Sequence, residues 1–147
     1  DIIQRNFAVG LILDYKNRML LQKKDREYLW WPNYWCVFGG GIENGEKPEE
    51  TFFREMKEEN ELILTDVAFF ECRYFSEETK FGDPVRREVN VHYFSARFDG
   101  DLKKIRIGEG SGFSIFDREE LIRYNKLGLI IPHNYEVIEM FYKNLER

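Results

Sequence analysis

Residues 39–62, GGGIENGEKPEETFFREMKEENEL, constrain this chain more than any other stretch. The stretch opens with three glycines, continues through an acidic loop and enters a predicted helix at Pro48. Proline suits the first turn of a helix, because the N–H that it lacks would have no partner there. Seven carboxylates lie within residues 46–61 against three cationic side chains. The stretch therefore predicts a site for something positively charged.

Three glutamates of the predicted helix share one side. At about 100° per residue, Glu55, Glu58 and Glu59 fall inside a sector of roughly 100°, and Phe52, Phe53 and Met56 occupy the adjoining sector, which we expect to be buried. A solvated acidic face is the usual explanation of a charge run. Surface helices, however, normally pair Glu with Lys or Arg at i+4, whereas here Glu55 meets Glu59. That repulsion favours a site in which a cation joins the carboxylates.

Ligation by carboxylate oxygens alone indicates a hard divalent cation, Mg²⁺ or alternatively Mn²⁺. Mg²⁺ typically completes its octahedron with water and substrate phosphates. The glycines fit the same chemistry, since a loop without side chains lets backbone groups approach a metal or a phosphate. The residues alone thus favour metal-assisted phosphate chemistry.

Composition narrows the possible partners and location. A net charge of −5 and a pI near 5.2 argue against a protein that wraps a long nucleic acid. The apolar runs are too short for a membrane span. Cys36 and Cys72 form no CxxC pair and are predicted to be buried free thiols in a reducing cytosol, which indicates a cytoplasmic protein. We expect a monomer or homodimer with a small-molecule substrate.

The rest of the chain mixes predicted strands and helices, which indicates an α/β or α+β fold in one domain, residues 1–147. Predicted helices begin at Pro48, after Asp117, whose capping box includes Glu120, and at Pro132. Strand patterns cover residues 7–13, 19–22, 35–38, 62–75, 89–98, 105–107 and 112–116, with a polar loop predicted at 77–84.

The acidic stretch carries a recognisable signature. Eight residues resemble, in type and spacing, the signature of Nudix hydrolases: Gly40, Glu46, Arg54, Glu55, Met56, Glu58, Glu59 and Leu62. The resemblance implies an α/β/α sandwich with a mixed β-sheet in a single domain. It also implies hydrolysis of a nucleoside diphosphate linked to another moiety, such as a nucleoside triphosphate or a nucleotide sugar.

The resemblance further implies a role for each matching residue. Glu58 and Glu59 would be the principal metal ligands, and Glu55 a further ligand or the group that orients the water. The Gly40 carbonyl would add a ligand. Arg54 would pair with Glu46 to hold the loop against the helix.

A catalytic base in this family can come from outside the signature. Glu109, in the glycine-rich loop GEGSG, is our candidate. Its alternative interpretation is an exposed loop acid, and Glu77, Glu78 or Glu88 could compete for the role.

Two positions depart from the family pattern. Phe38 stands where the family usually has proline before the glycines, and Glu61 stands where the signature has its last glycine. Asn60 tolerates the left-handed conformation, so the helix cap can shift by one residue. Neither change removes a carboxylate, and we expect altered loop geometry with metal binding retained.

Several residues outside the signature are candidates for substrate binding. Trp30, Trp31 and Tyr34 could stack on a nucleobase, although a packed aromatic loop or a dimer contact explains them equally well. Arg86 and Arg87 could meet phosphate, with solvated surface as the alternative. His92 and His133 are interpreted as structural, because neither has a partner at ligating spacing.

The leading hypothesis is an Mg²⁺-dependent pyrophosphohydrolase. The alternative is a Nudix-like module that binds a nucleotide, or regulates, without turnover. A third possibility is an acidic-helix domain with no ligand. The intact acids favour the enzyme, and the departures at Phe38 and Glu61 keep the binding module open.

Overall fold

The computed structural model describes residues 2–59, 63–79, 82–104 and 110–147. The strands are β1 Ile3–Leu13, β2 Met19–Lys24, β3 Trp35–Cys36, β4 Phe38–Gly41, β5 Thr65–Glu78, β6 Arg86–Arg97 and β7 Gly110–Phe116. The helices are α1 Pro48–Glu59, α2 Arg118–Lys126 and α3 Pro132–Leu145, with a short 3-10 turn at Leu102–Lys104.

The strands form one mixed sheet. Its order is β3-β2-β1-β6-β5, with β4 pairing with β1 and β7 with β2. β1 runs parallel to β6 over the whole of its length, and the other pairings are antiparallel. The predicted α/β class with a mixed sheet is confirmed.

The sheet carries a hydrophobic core on each face. Alternate residues of β1 divide between the cores: Ala8 and Ile12 pack with Phe52 of α1, whereas Leu11 packs with Ile138 of α3. A Cβ atom at Gly10 would lie 2.5 Å from Phe52 Cε1, so glycine leaves the room that α1 needs. The helices on opposite faces confirm the predicted sandwich.

The predicted helix starts are correct. Asp117 accepts a hydrogen bond from the Glu120 backbone N–H at 2.8 Å, and Glu120 Oε1 accepts one from the Asp117 N–H at 3.1 Å. Pro132 occupies the first turn of α3. α1 ends at Glu59, and the predicted cap at Asn60 lies outside the described residues, as does the predicted strand 105–107.

Two predicted boundaries are wrong. Residues 35–38 are not one strand: β3 pairs with β2 and β4 with β1, and between them the Val37 N–H donates to Asn134 Oδ1 at 3.1 Å. The polar loop predicted at 77–84 is in part strand. β5 and β6 extend to the Glu78–Arg86 pair, because opposite charges on facing positions stabilise the antiparallel register.

The prediction of two buried thiols is also wrong for one of them. Cys36 is buried, but Cys72 is exposed. Cys72 lies on β5, an edge strand of the sheet, where a side chain can stay exposed to solvent. The burial predicted for α1 is likewise wrong for one residue: Phe52 and Met56 are buried, whereas Phe53 is 47% exposed. Within the described segments, no helix is long and apolar enough to cross a membrane.

Candidate active site

A bidentate ion pair joins the end of the acidic loop to α1. Arg54 Nε donates to Glu46 Oε2 at 2.7 Å and Arg54 Nη2 to Glu46 Oε1 at 2.9 Å. Thr51 Oγ1 and the Glu43 N–H also donate to Glu46 Oε1. The hydrogen bond from Arg54, with the others, lowers the pKa of the Glu46 carboxyl to about 2. The loop is therefore held against the helix by a charged carboxylate at neutral pH.

Arg54 also positions the first of the three glutamates. Its Nη1 donates to Glu55 Oε1 at 3.1 Å, and its Nη2 donates to the Gly41 carbonyl oxygen at 3.2 Å. The Glu55 carboxylate lies in the space that a Cβ atom of Gly40 would occupy. Only 13% of the Glu55 side chain is exposed. β4 and α1 thus meet at this glycine, with a carboxylate between them.

The remaining predicted metal ligands are described only in part. Glu58 and Glu59 belong to the α1 backbone, three and four residues after Glu55, but their side chains lie outside the described part, and so does Glu109. Among the described residues, no three His, Cys, Asp or Glu side chains are grouped to hold a metal. The oxygen donors that are described, the Glu55 carboxylate and the Gly40 backbone beside it, are of the type that fits Mg²⁺.

A cavity of about 890 Å³ opens beside this carboxylate. Gly40 and Glu55 line one part of it, and Phe7, Trp30 and Arg87 line another. Its volume falls in the range of small-molecule sites, which is about 300–1,000 Å³. The cavity can therefore accommodate a nucleotide next to the acidic helix.

A buried carboxylate, Glu77 of β5, connects three elements around the cavity. Its Oε1 accepts hydrogen bonds from Trp31 Nε1 at 2.8 Å and lies 2.6 Å from His133 Nε2. Its Oε2 accepts from Arg87 Nε at 2.6 Å, and 3% of the side chain is exposed. Burial alone would raise the pKa of Glu77, but the hydrogen bonds from His133, Trp31 and Arg87 outweigh it and hold the pKa at about 2.

Glu77 is accordingly a poor catalytic base, since a carboxylate of such low pKa accepts a proton weakly and both of its oxygens are engaged. Glu78 and Glu88 are not among the described residues that line the cavity. Glu109 stays a prediction.

In the loop before β3, the residue that contacts Glu77 has a strained backbone conformation. Trp31 has φ +54°, which is unfavourable for a residue with a bulky side chain. Its ring meets the rings of Tyr34 and His133 edge to face, at centroid distances of 5.1 and 5.9 Å. Together with the bond to Glu77, these contacts hold Trp31 against the cavity.

The four residues predicted to bind substrate differ in whether they line the cavity. Trp31 and Arg87 line the cavity. Tyr34 contacts Trp31 but is not among the described lining residues, and Arg86 is exposed, with its Nε donating to Ser76 Oγ at 3.3 Å.

Sequence reasoning missed two residues of the site, Arg5 and His133, which both line the cavity. No local pattern could have revealed His133, because its partner Glu77 is 56 residues away in sequence. The only signal was the proline before it, which places it in the first turn of a helix.

The contact between Gly40 and Glu55 gives a direct prediction. We expect Gly40→Ala to lower kcat/KM on the order of 10- to 100-fold, because the added methyl group displaces the Glu55 carboxylate, and displacements near 1 Å have such effects. Gly128→Ala is the control: it adds the same methyl group in the turn after α2, where a Cβ atom would meet no heavy atom within 4 Å, and at φ +71° it costs stability without touching the described lining of the cavity. Steady-state kinetics in which both variants lose activity equally would contradict the proposed role of this contact.

Comparison with known proteins identifies the relatives of this chain. The family model described as NUDIX domain matches residues 4–141. Nucleoside triphosphatase NudI of Escherichia coli O139:H28 is 27% identical over 128 residues, covering 83% of this chain and 88% of the relative. A NUDIX hydrolase from Nitrosomonas europaea has a similar structure, with a TM-score of 0.73 at 16% identity over 96% of this chain and 90% of the other. The E. coli dihydroneopterin triphosphate pyrophosphohydrolase gives a TM-score of 0.68 at 19% identity over 98% and 99%.

Proposed function

This chain belongs to the Nudix hydrolase family and is a pyrophosphohydrolase, and we propose that it uses Mg²⁺ to hydrolyse the pyrophosphate bond of a nucleoside diphosphate linked to another moiety. One observation carries the proposal. The Glu55 carboxylate lies against Gly40 at the wall of a nucleotide-sized cavity, on the helix whose backbone includes Glu58 and Glu59 three and four residues later.

The acids of α1 supply the negative charge that a divalent cation needs. Glu55, Glu58 and Glu59 are proposed to hold Mg²⁺, with the Gly40 carbonyl as a further donor. A bound Mg²⁺ supplies positive charge that stabilises the charge developing on phosphate oxygens. Arg54 orients Glu55 through the 3.1 Å hydrogen bond, and Glu46 orients Arg54.

The cavity wall is proposed to bind the rest of the substrate. Arg5 is exposed and adjoins Gly41, so its guanidinium can contact phosphate oxygens near the acidic helix. Trp31, which also lines the cavity, is held by Glu77. Glu109 is proposed to take the proton from the attacking water. The E. coli relative named as a nucleoside triphosphatase supports nucleoside triphosphates as the first substrates to try.

A substrate panel tests this proposal. Purified protein is incubated with nucleoside triphosphates, nucleotide sugars, dinucleoside polyphosphates and ADP-ribose, and released phosphate, pyrophosphate and nucleotide are measured. We expect turnover with Mg²⁺, none after chelation, and recovery with Mn²⁺. Binding of a nucleotide without turnover on any substrate would instead support a regulatory module, and turnover that survives chelation would contradict the metal requirement.

A further inference from the structure

Arg87 of β6 is held in the cavity wall by two aromatic rings and a carboxylate. Its guanidinium carbon lies 3.9 Å from the centroid of the Trp30 ring and 5.4 Å from that of Phe7. Its Nε donates to Glu77 at 2.6 Å, and 11% of the side chain is exposed. The planar group is thus fixed in orientation by two rings and one carboxylate.

Within the part of the chain that the structure describes, the outer edge of this guanidinium has no partner. Among the described residues, neither Arg87 Nη1 nor Nη2 has a hydrogen-bond acceptor. Neither atom is among the buried polar atoms that lack a partner, so both can be reached by a ligand in the cavity. Because Nε is engaged by Glu77, the two terminal nitrogens are the donors left for a ligand in the cavity. A guanidinium presents such donors in a rigid fork that matches two adjacent acceptors.

The surroundings of the fork favour a neutral ring over a phosphate group. Glu77 already balances the charge of Arg87, so its two remaining donors suit neutral acceptors, and the Trp30 and Phe7 rings that pack on the guanidinium give it apolar surroundings. Arg5, which is exposed beside Gly41 and forms no ion pair with a described residue, is the better-placed group for phosphate.

We propose that Arg87 recognises the O6 and N7 acceptors of a 6-oxopurine, and that this pyrophosphohydrolase therefore prefers 6-oxopurine nucleotides. The inference rests on the proposed function. Arginine pairs with both acceptors at once, whereas adenine replaces O6 with an amino group that can only donate. A 6-aminopurine would place this amino group against the Arg87 donors, with only N7 to accept.

Glu77 is a positioning residue in this arrangement. It holds Arg87 through Nε, and its other oxygen is occupied by Trp31 and His133, so the carboxylate is not available to rotate. The fork therefore faces the cavity in a set orientation before any ligand arrives.

The test compares ITP with ATP, which differ at the purine 6-position, in wild-type protein, Arg87→Lys and Arg86→Lys. Lysine keeps the charge but lacks the fork, and Arg86 is the exposed neighbour on the same strand, outside the described lining of the cavity. We expect wild-type kcat/KM to favour ITP on the order of 10- to 100-fold. Arg87→Lys should bring the ratio close to one, and Arg86→Lys should leave it unchanged.

Binding separates this inference from the proposed function. Affinities for IMP and AMP, followed by tryptophan fluorescence, give the same comparison without turnover and do not depend on the variant being active. A preference for IMP with no hydrolysis would support Arg87 recognition and overturn the enzyme. Hydrolysis of ITP and ATP at equal efficiency would overturn the 6-oxopurine preference and leave the enzyme intact.

The variants then decide whether Arg87 hydrogen-bonds to the base. An Arg87→Lys protein that retains the wild-type ITP preference would overturn the assignment. So would equal losses for ITP and ATP, which is the result expected if Arg87 contacts phosphate. The wild-type comparison stands even if Arg87→Lys fails to fold.

Discussion

Glu58→Gln is expected to lower kcat/KM by at least about 100-fold while leaving the melting temperature within a few degrees of wild type. The amide keeps the size of the side chain but removes the negative charge that is proposed to hold Mg²⁺. Removing one electrostatic contact of a transition state typically costs 10²–10³ in rate. The measurement is steady-state hydrolysis of the best substrate of the panel, with thermal unfolding followed by circular dichroism.

Glu49→Gln is the matched control for that variant. Glu49 lies in the exposed first turn of the same helix, so the substitution changes the net charge by the same amount away from the proposed site. We expect near wild-type activity from it. Equal activity in Glu58→Gln and Glu49→Gln would place the metal elsewhere.

Glu77→Ala should cause the largest loss of stability. Deleting the carboxylate leaves the buried Arg87 guanidinium without its ion pair, and breaking a buried pair from one side typically costs about 3 to 5 kcal/mol. The Trp31 and His133 donors lose their acceptor as well. The free energy of unfolding, measured by urea titration, should fall accordingly, whereas Glu78→Ala, an exposed neighbour on β5, should change it by less than about 0.5 kcal/mol.

The same carboxylate predicts how stability depends on pH. Because the folded-state pKa of Glu77 is about 2, below the ordinary value of 4.5, its contribution is present above pH 4.5 and is lost as the pH falls towards 2. Wild type should therefore lose part of its advantage over Glu77→Gln between pH 5 and pH 3. Urea midpoints measured at both pH values check this, and an advantage that grows on acidification would contradict it.

The Nudix signature could be recognised from the sequence because its residues lie within one short segment, residues 40–62. Helical periodicity places Glu55 near Glu58 and Glu59, and Pro48 marks where the helix begins. The proposed pairing of Arg54 with Glu46 spans eight residues of chain, and the structure contains that contact. The family resemblance added the activity, which residue spacing alone did not provide.

The part of the cavity wall around Glu77 could not be predicted from the sequence, because its contacts join distant parts of the chain. Glu77 and Arg87 were placed in or beside a predicted polar loop, since charged residues resemble loop sequence. They face each other across paired strands, where each charge has a partner. A strand whose buried positions are charged has no apolar alternation to reveal it.

The role of His133 could not be predicted from the sequence for the same reason. Its interpretation as structural rested on the lack of a nearby partner in sequence, and the partner is Glu77, on another element. Its ring also stacks on Phe75 at a centroid distance of 4.2 Å, so it has a packing role as well as a polar one. Only the fold brings α3 and β5 together.

Manganese binding tests the central proposal most directly. Electron paramagnetic resonance titration of Mn²⁺ against wild type and the triple variant Glu55→Gln, Glu58→Gln, Glu59→Gln counts tightly bound ions without requiring a substrate. We predict tight sites in wild type that are absent from the triple variant, with Mg²⁺ competing for the wild-type sites. Equal numbers of tightly bound Mn²⁺ in the two folded proteins would contradict the proposal that these glutamates hold the metal.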